Sequence, residues 1–211
     1  MNLKIEVLKN NEKINQVVIL LHGYGADAKD LISLTNYWQR FLPDTLFILP
    51  YAPMKCQINS AGYEWFDLMQ IDKSKSLIQL NNSITKLKIL IENIIKKYGV
   101  KYEDIIFVGF SQGTMMALHT SLSLKFPVKG ILGFSGKVYD VELLGKELNA
   151  KTKILFIHGT EDEVIKLEEM YDSYESLKKL NIDVDYKVLN CGHTISTEGM
   201  SLGLNFIRNL T

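Results

Sequence analysis

The chain is poor in the residues that would staple it or commit it to a charged partner. Its two cysteines, Cys56 and Cys191, lie far apart, and the four histidines are His22, His119, His158 and His193. None of these falls at the short spacings that zinc ligands keep, so neither a structural metal nor any other cofactor is expected. Arginine occurs only at Arg40 and Arg208, and 24 Lys+Arg balance 24 Asp+Glu. A protein with no basic excess and so few guanidinium groups lacks the electrostatic footprint of a nucleic-acid binder. With 4 prolines, no Pro/Gly/Ser-rich stretch and no internal repeat, nothing divides the 211 residues, and one domain over 1–211 is expected. Long hydrophobic runs are missing as well. The stretch Met1 to Val7 has no apolar signal-like core, and Val17 to Leu21 falls far short of the roughly 20 residues that span a bilayer. No membrane insertion is expected, and the reading is a cytoplasmic protein with free thiols.

What the chain does have is apolar residues, 46% of the total, in an alternating arrangement. A chain this long can bury about 70% of the surface it would expose unfolded, so it needs no cross-link. Leu3 to Leu8 alternates apolar and polar, as a half-buried strand does. The continuous runs at Gln16–Leu21, Leu46–Leu49, Ile105–Phe110, Val128–Phe134 and Lys153–Ile157 predict strands buried on both faces, and Asp183–Leu189 a further strand. Helices are predicted over Asp30–Phe41, from Leu77 to Tyr98 with Gly99 as its stop, and over Gln112–Lys125, Val164–Leu180 and Thr194–Leu210. Between them, Tyr51 to about Lys75 is predicted as a long loop, of the kind that usually serves function. Buried strands alternating with helices imply an α/β fold, with a mostly parallel sheet covered on both faces. In such sheets chemistry gathers at the carboxyl ends of the strands.

One of those ends carries Gly109-Phe110-Ser111-Gln112-Gly113, a G-x-S-x-G string between a strand and a helix. The string alone is weakly specific, but the strand–turn–helix setting projects Ser111 from a tight turn, with a helix N-terminus behind it to favour negative charge. A serine nucleophile needs a base, and the base needs an acid to hold its tautomer. In this sheet type the order along the chain is serine, acid, histidine. His193 is the one histidine beyond the last strand. His119 lies eight residues along the helix from Ser111, about 12 Å away, and reads as a packed helix residue. His22 and His158 precede the acid and read as structural. For the acid, Glu161-Asp162-Glu163 follows a strand, with Asp162 preferred and Glu161 as the alternative. The backbone N–H groups of Gln112 and of Tyr24, in His22-Gly23-Tyr24-Gly25, are the candidate oxyanion donors. In the long loop, Tyr63, Trp65, Phe66 and Leu68 either line an apolar acyl channel or, for Trp65 and Phe66, anchor the loop to the core.

Taken together, the chain resembles the phospholipase/carboxylesterase family of α/β-hydrolases, which includes the acyl-protein thioesterases. The resemblance rests on Leu21-His22-Gly23-Tyr24-Gly25-Ala26-Asp27, Pro50-Tyr51-Ala52-Pro53, Trp65-Phe66-Asp67, the serine motif, Gly133-Phe134-Ser135-Gly136, His158-Gly159-Thr160-Glu161-Asp162 and Gly192-His193. These run in order over nearly the whole chain. The resemblance implies the α/β-hydrolase fold, a triad of Ser111, Asp162 and His193, an oxyanion hole at Tyr24 and Gln112, and no metal. The chain departs from the family at Tyr24, where leucine is common, and at Lys166, where proline is common. The polar stretch Met69 to Ser76, with Lys73 and Lys75, differs from a family lid.

The expected function is a serine hydrolase cleaving carboxylic esters, and by alternative thioesters or lysophospholipids, through an acyl-enzyme. The partner is then a small or lipid-like acyl ester or an acylated protein, and the molecule a monomer or homodimer. A ligand sensor on a hydrolase scaffold is the reading from a different class.

Overall fold

The computed structural model describes residues 2–210. Its strands are β1 (Ile5–Leu8), β2 (Gln16–Leu21), β3 (Thr45–Pro50), β4 (Met54–Lys55), β5 (Tyr63–Glu64), β6 (Ile105–Phe110), β7 (Gly130–Phe134), β8 (Ile154–Gly159) and β9 (Val184–Leu189). Its helices are α1 (Ile32–Gln39), α2 (Lys73–Tyr98), α3 (Gln112–Leu122), α4 (Val141–Glu147), α5 (Leu167–Lys179) and α6 (Thr197–Arg208). Seven strands form one sheet in the order β1-β3-β2-β6-β7-β8-β9, and β4 pairs with β5 in a separate hairpin. Only β1 runs antiparallel in the large sheet.

The pleat sends alternate side chains into two cores. Val17, Ile19 and Leu21 of β2 pack with α2 and α3 on one face, through residues such as Leu80, Leu87, Met115 and Leu118. Val18 and Leu20 pack on the other face with Leu34 and Trp38 of α1 and Leu204 and Ile207 of α6. A strand buried on both faces has no polar side, which is why these runs are continuously apolar. After β2 the chain winds outward to β3 and then returns to place β6 on the other side of β2. The sheet therefore reverses its winding between β2 and β6, where Leu21 pairs with Gly109. A crevice opens at such a reversal, beyond the carboxyl ends of the two strands.

The structure corrects the expected elements in four places. The segment after β3 is not structureless, since it holds the β4–β5 hairpin and the first turn of α2. That turn, from Lys73, is hidden from apolar periodicity because it is polar. Asp72 caps it by accepting from Ser74 N at 3.0 Å, and the Ser76 hydroxyl donates to the Asp67 carbonyl at 3.0 Å. Helix α4 was not expected; it is short and starts at Asp140, whose carboxylate accepts from Leu143 N at 2.7 Å. Helix α5 begins at Leu167 rather than Val164, because Lys166 is extended at φ −63°, ψ 148° and its N–H is accepted by the Glu169 carboxylate at 3.0 Å, which makes it the cap. Helix α6 begins at Thr197, capped by Ser196, so Thr194 to Ser196 remains loop.

Candidate active site

The turn that carries Ser111 is held by backbone against backbone. Ser111 sits at φ 54°, ψ −117°, a conformation that costs a non-glycine residue on the order of 1–3 kcal/mol. Its N–H donates to the Phe134 carbonyl at 2.9 Å. The two glycines of the motif are sterically required. A methyl group on Gly109 would lie 2.4 Å from the Gly113 carbonyl carbon, and one on Gly113 would lie 1.9 Å from the Leu21 carbonyl oxygen. Every residue of α3 is buried, so the helix that starts at Gln112 has no freedom to shift.

The loop after β2 closes on this turn. A methyl group on Gly23 would stand 3.4 Å from Ser111 Cβ and 3.3 Å from the Phe110 ring. His22 holds the loop in place from beneath. Its Nε2 accepts the Ala52 N–H at 3.0 Å, so the ring proton is on Nδ1 and is donated to the Gly23 carbonyl at 2.8 Å. Burial pushes the His22 pKa down, which favours the neutral tautomer that can make both bonds. Trp65 Nε1 donates to the His22 carbonyl at 3.0 Å. Gly25, at φ 75°, turns the chain so that its N–H reaches the Tyr63 carbonyl at 2.9 Å. Among the described residues, the backbone amides of Tyr24 and Gln112 have no protein acceptor.

At the other side of the crevice, the loops after β8 and β9 are stitched together. Glu161 N donates to the Cys191 carbonyl at 3.0 Å, and Thr160 N to that of Leu189 at 2.8 Å. A methyl group on Gly159 would lie 2.1 Å from the Cys191 carbonyl oxygen. This places Asp162 and His193 together. His193 Nδ1 lies 2.8 Å and 3.0 Å from the two Asp162 carboxylate oxygens. The Asp162 side chain is fully buried, while Glu161 and Glu163 on either side are exposed. Burial would raise the Asp162 pKa, but the hydrogen bond from His193 and those from Ile165 N and Val164 N outweigh it and hold the carboxyl below its usual range. Nδ1–H therefore donates to an ionised carboxylate, and Nε2 is left as the basic edge of the ring.

His158, expected to be structural, donates from Nε2 to the Ile165 carbonyl at 2.8 Å and lies 3.4 Å from Asp162 Oδ2. It thus braces the turn that presents Asp162. His119 accepts the Asp140 N–H at 3.3 Å, and burial lowers its pKa to about 4.

His193 reaches the residue next to Ser111, since the Phe110 ring centroid is 4.9 Å from that of the imidazole. No hydrogen bond joins Ser111 Oγ to His193 here; such bonds are often long before substrate binds. Gly23, Phe110 and His193 share the wall of a cavity of about 370 Å³. Among the described residues, no group of three or more His, Cys, Asp or Glu could hold a metal ion.

The loop aromatics need correction. Trp65 and Phe66 are both 0% exposed, so neither lines a channel open to substrate. Both lie in the core that α2 and α3 cover. The Gln112 side chain clamps them, with Oε1 accepting from Trp65 N at 3.0 Å and Nε2 donating to the Phe66 carbonyl at 2.6 Å. The Ser83 hydroxyl donates to the Trp65 carbonyl at 2.5 Å. Tyr63 and Leu68 are half-buried against the core, Tyr63 with its ring edge-on to Tyr51. Lys73, in the polar stretch that follows, pairs with Asp140 at 2.6 Å. The residues that do line the cavity with His193, among them Leu31, Leu34, Ile195 and Met200, were not singled out from the sequence. Their only signal is apolar spacing, which in α1 and α6 is indistinguishable from core.

Residues 2–211 match the phospholipase/carboxylesterase family. The chain is 31% identical over 176 residues to acyl-protein thioesterase 1 of Saccharomyces cerevisiae, an alignment covering 77% of this chain and 77% of that one. It is 25% identical over 194 residues to esterase YpfH of Escherichia coli, covering 92% of this chain and 82% of the other. Among solved structures, esterase PE8 aligns with a TM-score of 0.93 at 35% identity, covering 100% of both chains. The sheet order, the helices on its two faces and these neighbours make the fold an α/β-hydrolase fold. The chain belongs to the phospholipase/carboxylesterase family, and it is a hydrolase enzyme of the esterase and thioesterase kind. None of its helices, among the described residues, is long and apolar enough to cross a membrane.

Proposed function

We propose that Ser111, His193 and Asp162 form a catalytic triad that hydrolyses carboxylic esters through an acyl-enzyme. His193 Nε2 takes the proton of Ser111 Oγ as that oxygen attacks the acyl carbon. The carbonyl oxygen, now an oxyanion, is received by the N–H groups of Tyr24 and Gln112, and the helix N-terminus behind Gln112 adds to the positive potential there. Asp162 keeps the imidazole in the tautomer with Nδ1 protonated and stabilises the imidazolium. The imidazolium then protonates the leaving group, the bond to it breaks, and a water activated by the same imidazole releases the acid and restores Ser111.

The observation that carries this reading is the contact of His193 with both oxygens of a buried, ionised Asp162, across from a serine held in a strained turn. The unclaimed amides of Tyr24 and Gln112 support the oxyanion assignment. Ser111→Ala should lower kcat for p-nitrophenyl acetate by a factor on the order of 10⁴ to 10⁶, with folding intact by circular dichroism. Unchanged turnover in that variant refutes the triad. A thioester substrate, on an acylated protein, is the second reading, favoured by the name of the yeast relative. Rapid labelling of Ser111 by a fluorophosphonate separates either reading from a sensor, which has no need of an activated serine.

A further inference from the structure

The cavity beside His193 is lined by the base and the residues that follow it, and by none of Ser111, Tyr24 and Gln112. We infer that it receives the leaving group of the substrate, and that it suits an uncharged or cationic alcohol or thiol rather than an anionic one. This rests on the acyl-transfer reading above and adds to it where each half of the substrate goes.

The imidazole that removes the Ser111 proton must hand it to the departing oxygen or sulfur, so the leaving atom has to stand beside Nε2. The carbonyl oxygen is directed elsewhere, to the amides of Tyr24 and Gln112. The cavity touches His193 and the two residues after it, Thr194 and Ile195, together with Phe110 against the imidazole. Its walls are Leu31 and Leu34 from the segment after β2, and Ile195 and Met200 from the loop and helix after β9. At about 370 Å³ it falls within the size range of small-ligand sites. The loop before α6, which the Ser196 cap ends, supplies Thr194 and Ile195 to this wall.

Charge decides what fits. Asp30 is the one acidic side chain on the wall, and no lysine or arginine lines it. Asp30 also borders a neighbouring hollow of about 160 Å³ together with Asp27, again with no basic residue. The Asp30 carboxylate is held in place, since its Oδ2 accepts the Asp27 N–H at 3.1 Å. A negative leaving group entering here meets repulsion that a neutral one does not, and a positive one meets attraction. The chemistry balances without any co-reactant. The Ser111 Oγ–acyl bond forms, the bond from the acyl carbon to the leaving group breaks, and the leaving group departs with the proton held by His193.

The test uses acetate esters that share the acetyl group and differ in the alcohol: methyl acetate, dimethylbutyl acetate, its trimethylammonium isostere acetylcholine, and acetoxypropanoate. A parallel series of methyl esters varies the acyl chain. For Asp30→Asn, which keeps the oxygen that accepts from Asp27, the preference for the cation over its neutral isostere should fall about three-fold in kcat/KM. For Met200→Trp, kcat/KM for dimethylbutyl acetate relative to methyl acetate should fall about ten-fold, while the ranking in the acyl series is kept. Met200→Ala should move the alcohol ratio the opposite way, and it guards against poor folding of the larger substitution. If Met200→Trp reorders the acyl series and leaves the alcohol series alone, the cavity holds the acyl chain and the inference is overturned. An unchanged cation preference in Asp30→Asn overturns the charge selection. Hydrolysis of every ester that persists in Ser111→Ala is a different failure, that of the triad itself.

Discussion

The two faces of the sheet contribute unequally to the site. On the face covered by α2 to α5, the nucleophile turn, the Trp65-Phe66 anchor and the turn presenting Asp162 are packed without room to move. All of α3 is buried there, and a single side chain, Gln112, bonds to the backbone of both Trp65 and Phe66. On the face covered by α1 and α6, residues of both helices wall the cavity beside the mostly buried His193. The difference separates two tasks. Positioning demands dense packing, because a displacement of an ångström costs rate. Substrate choice needs space whose walls can change without disturbing the machinery. Substitutions on the packed face should therefore cost turnover or stability, whereas those on the open face should alter preference.

The largest expected effect tests the buried carboxylate. Asp162→Asn keeps the shape but cannot hold the imidazole in its tautomer as an anion does, and kcat for p-nitrophenyl acetate should drop on the order of 10⁴-fold. A drop of less than ten-fold would remove Asp162 from the machinery. Next comes Trp65→Phe, which deprives the buried His22 carbonyl of its donor. Unfolding free energy should fall by about 1–3 kcal/mol, read by urea titration. The acyl-chain profile should keep its shape, and a new length cutoff would return Trp65 to the substrate's path.

An effect of similar size is expected in the pH dependence. The folded pKa of His119 is about 4, against about 6.5 unfolded, so the unfolded chain binds the extra proton in that interval. The neutral ring's contribution is complete above the unfolded value and is lost as pH falls from there toward 4. His119→Gln should flatten the decline of stability over this window by up to a few kcal/mol, measured by urea unfolding at pH 7 and pH 5. Equal slopes in both proteins would show that burial does not hold the ring neutral.

Much of the packed face was legible in the sequence, because its causes are local. Runs such as Ile105–Phe110 are apolar at every position, since both faces of the sheet are covered. The placement of small residues at 109 and 113 around Ser111 reports a close approach of strand and helix. The pairing of Asp162, rather than Glu161, with His193 is a matter of one residue's orientation, which the residues alone separated weakly. Other features were illegible for physical reasons. Val164-Ile165-Lys166 has the apolar spacing to extend α5, but Lys166 is held extended as the cap by the Glu169 carboxylate three residues on. Trp65 and Phe66 look the same in sequence whether they line a channel or fill a core; their complete burial is seen only once the chain is folded. The cavity is assembled from α1 and from the loop and helix after β9, segments far apart in the chain, so no stretch of sequence announces it.

Gln112 has a consequence for anyone rebuilding this enzyme. Its backbone follows Ser111 directly while its carboxamide grips the main chain at Trp65 and Phe66, so the insertion between β3 and α2 is not a detachable module. Even its exposed tip is tied to the site loop, because the Asn59 carboxamide donates to the Gly25 carbonyl at 2.8 Å. A graft whose junction falls at Trp65 would carry its misfit straight to the turn that holds the serine, and loop shuffling among relatives should respect that seam.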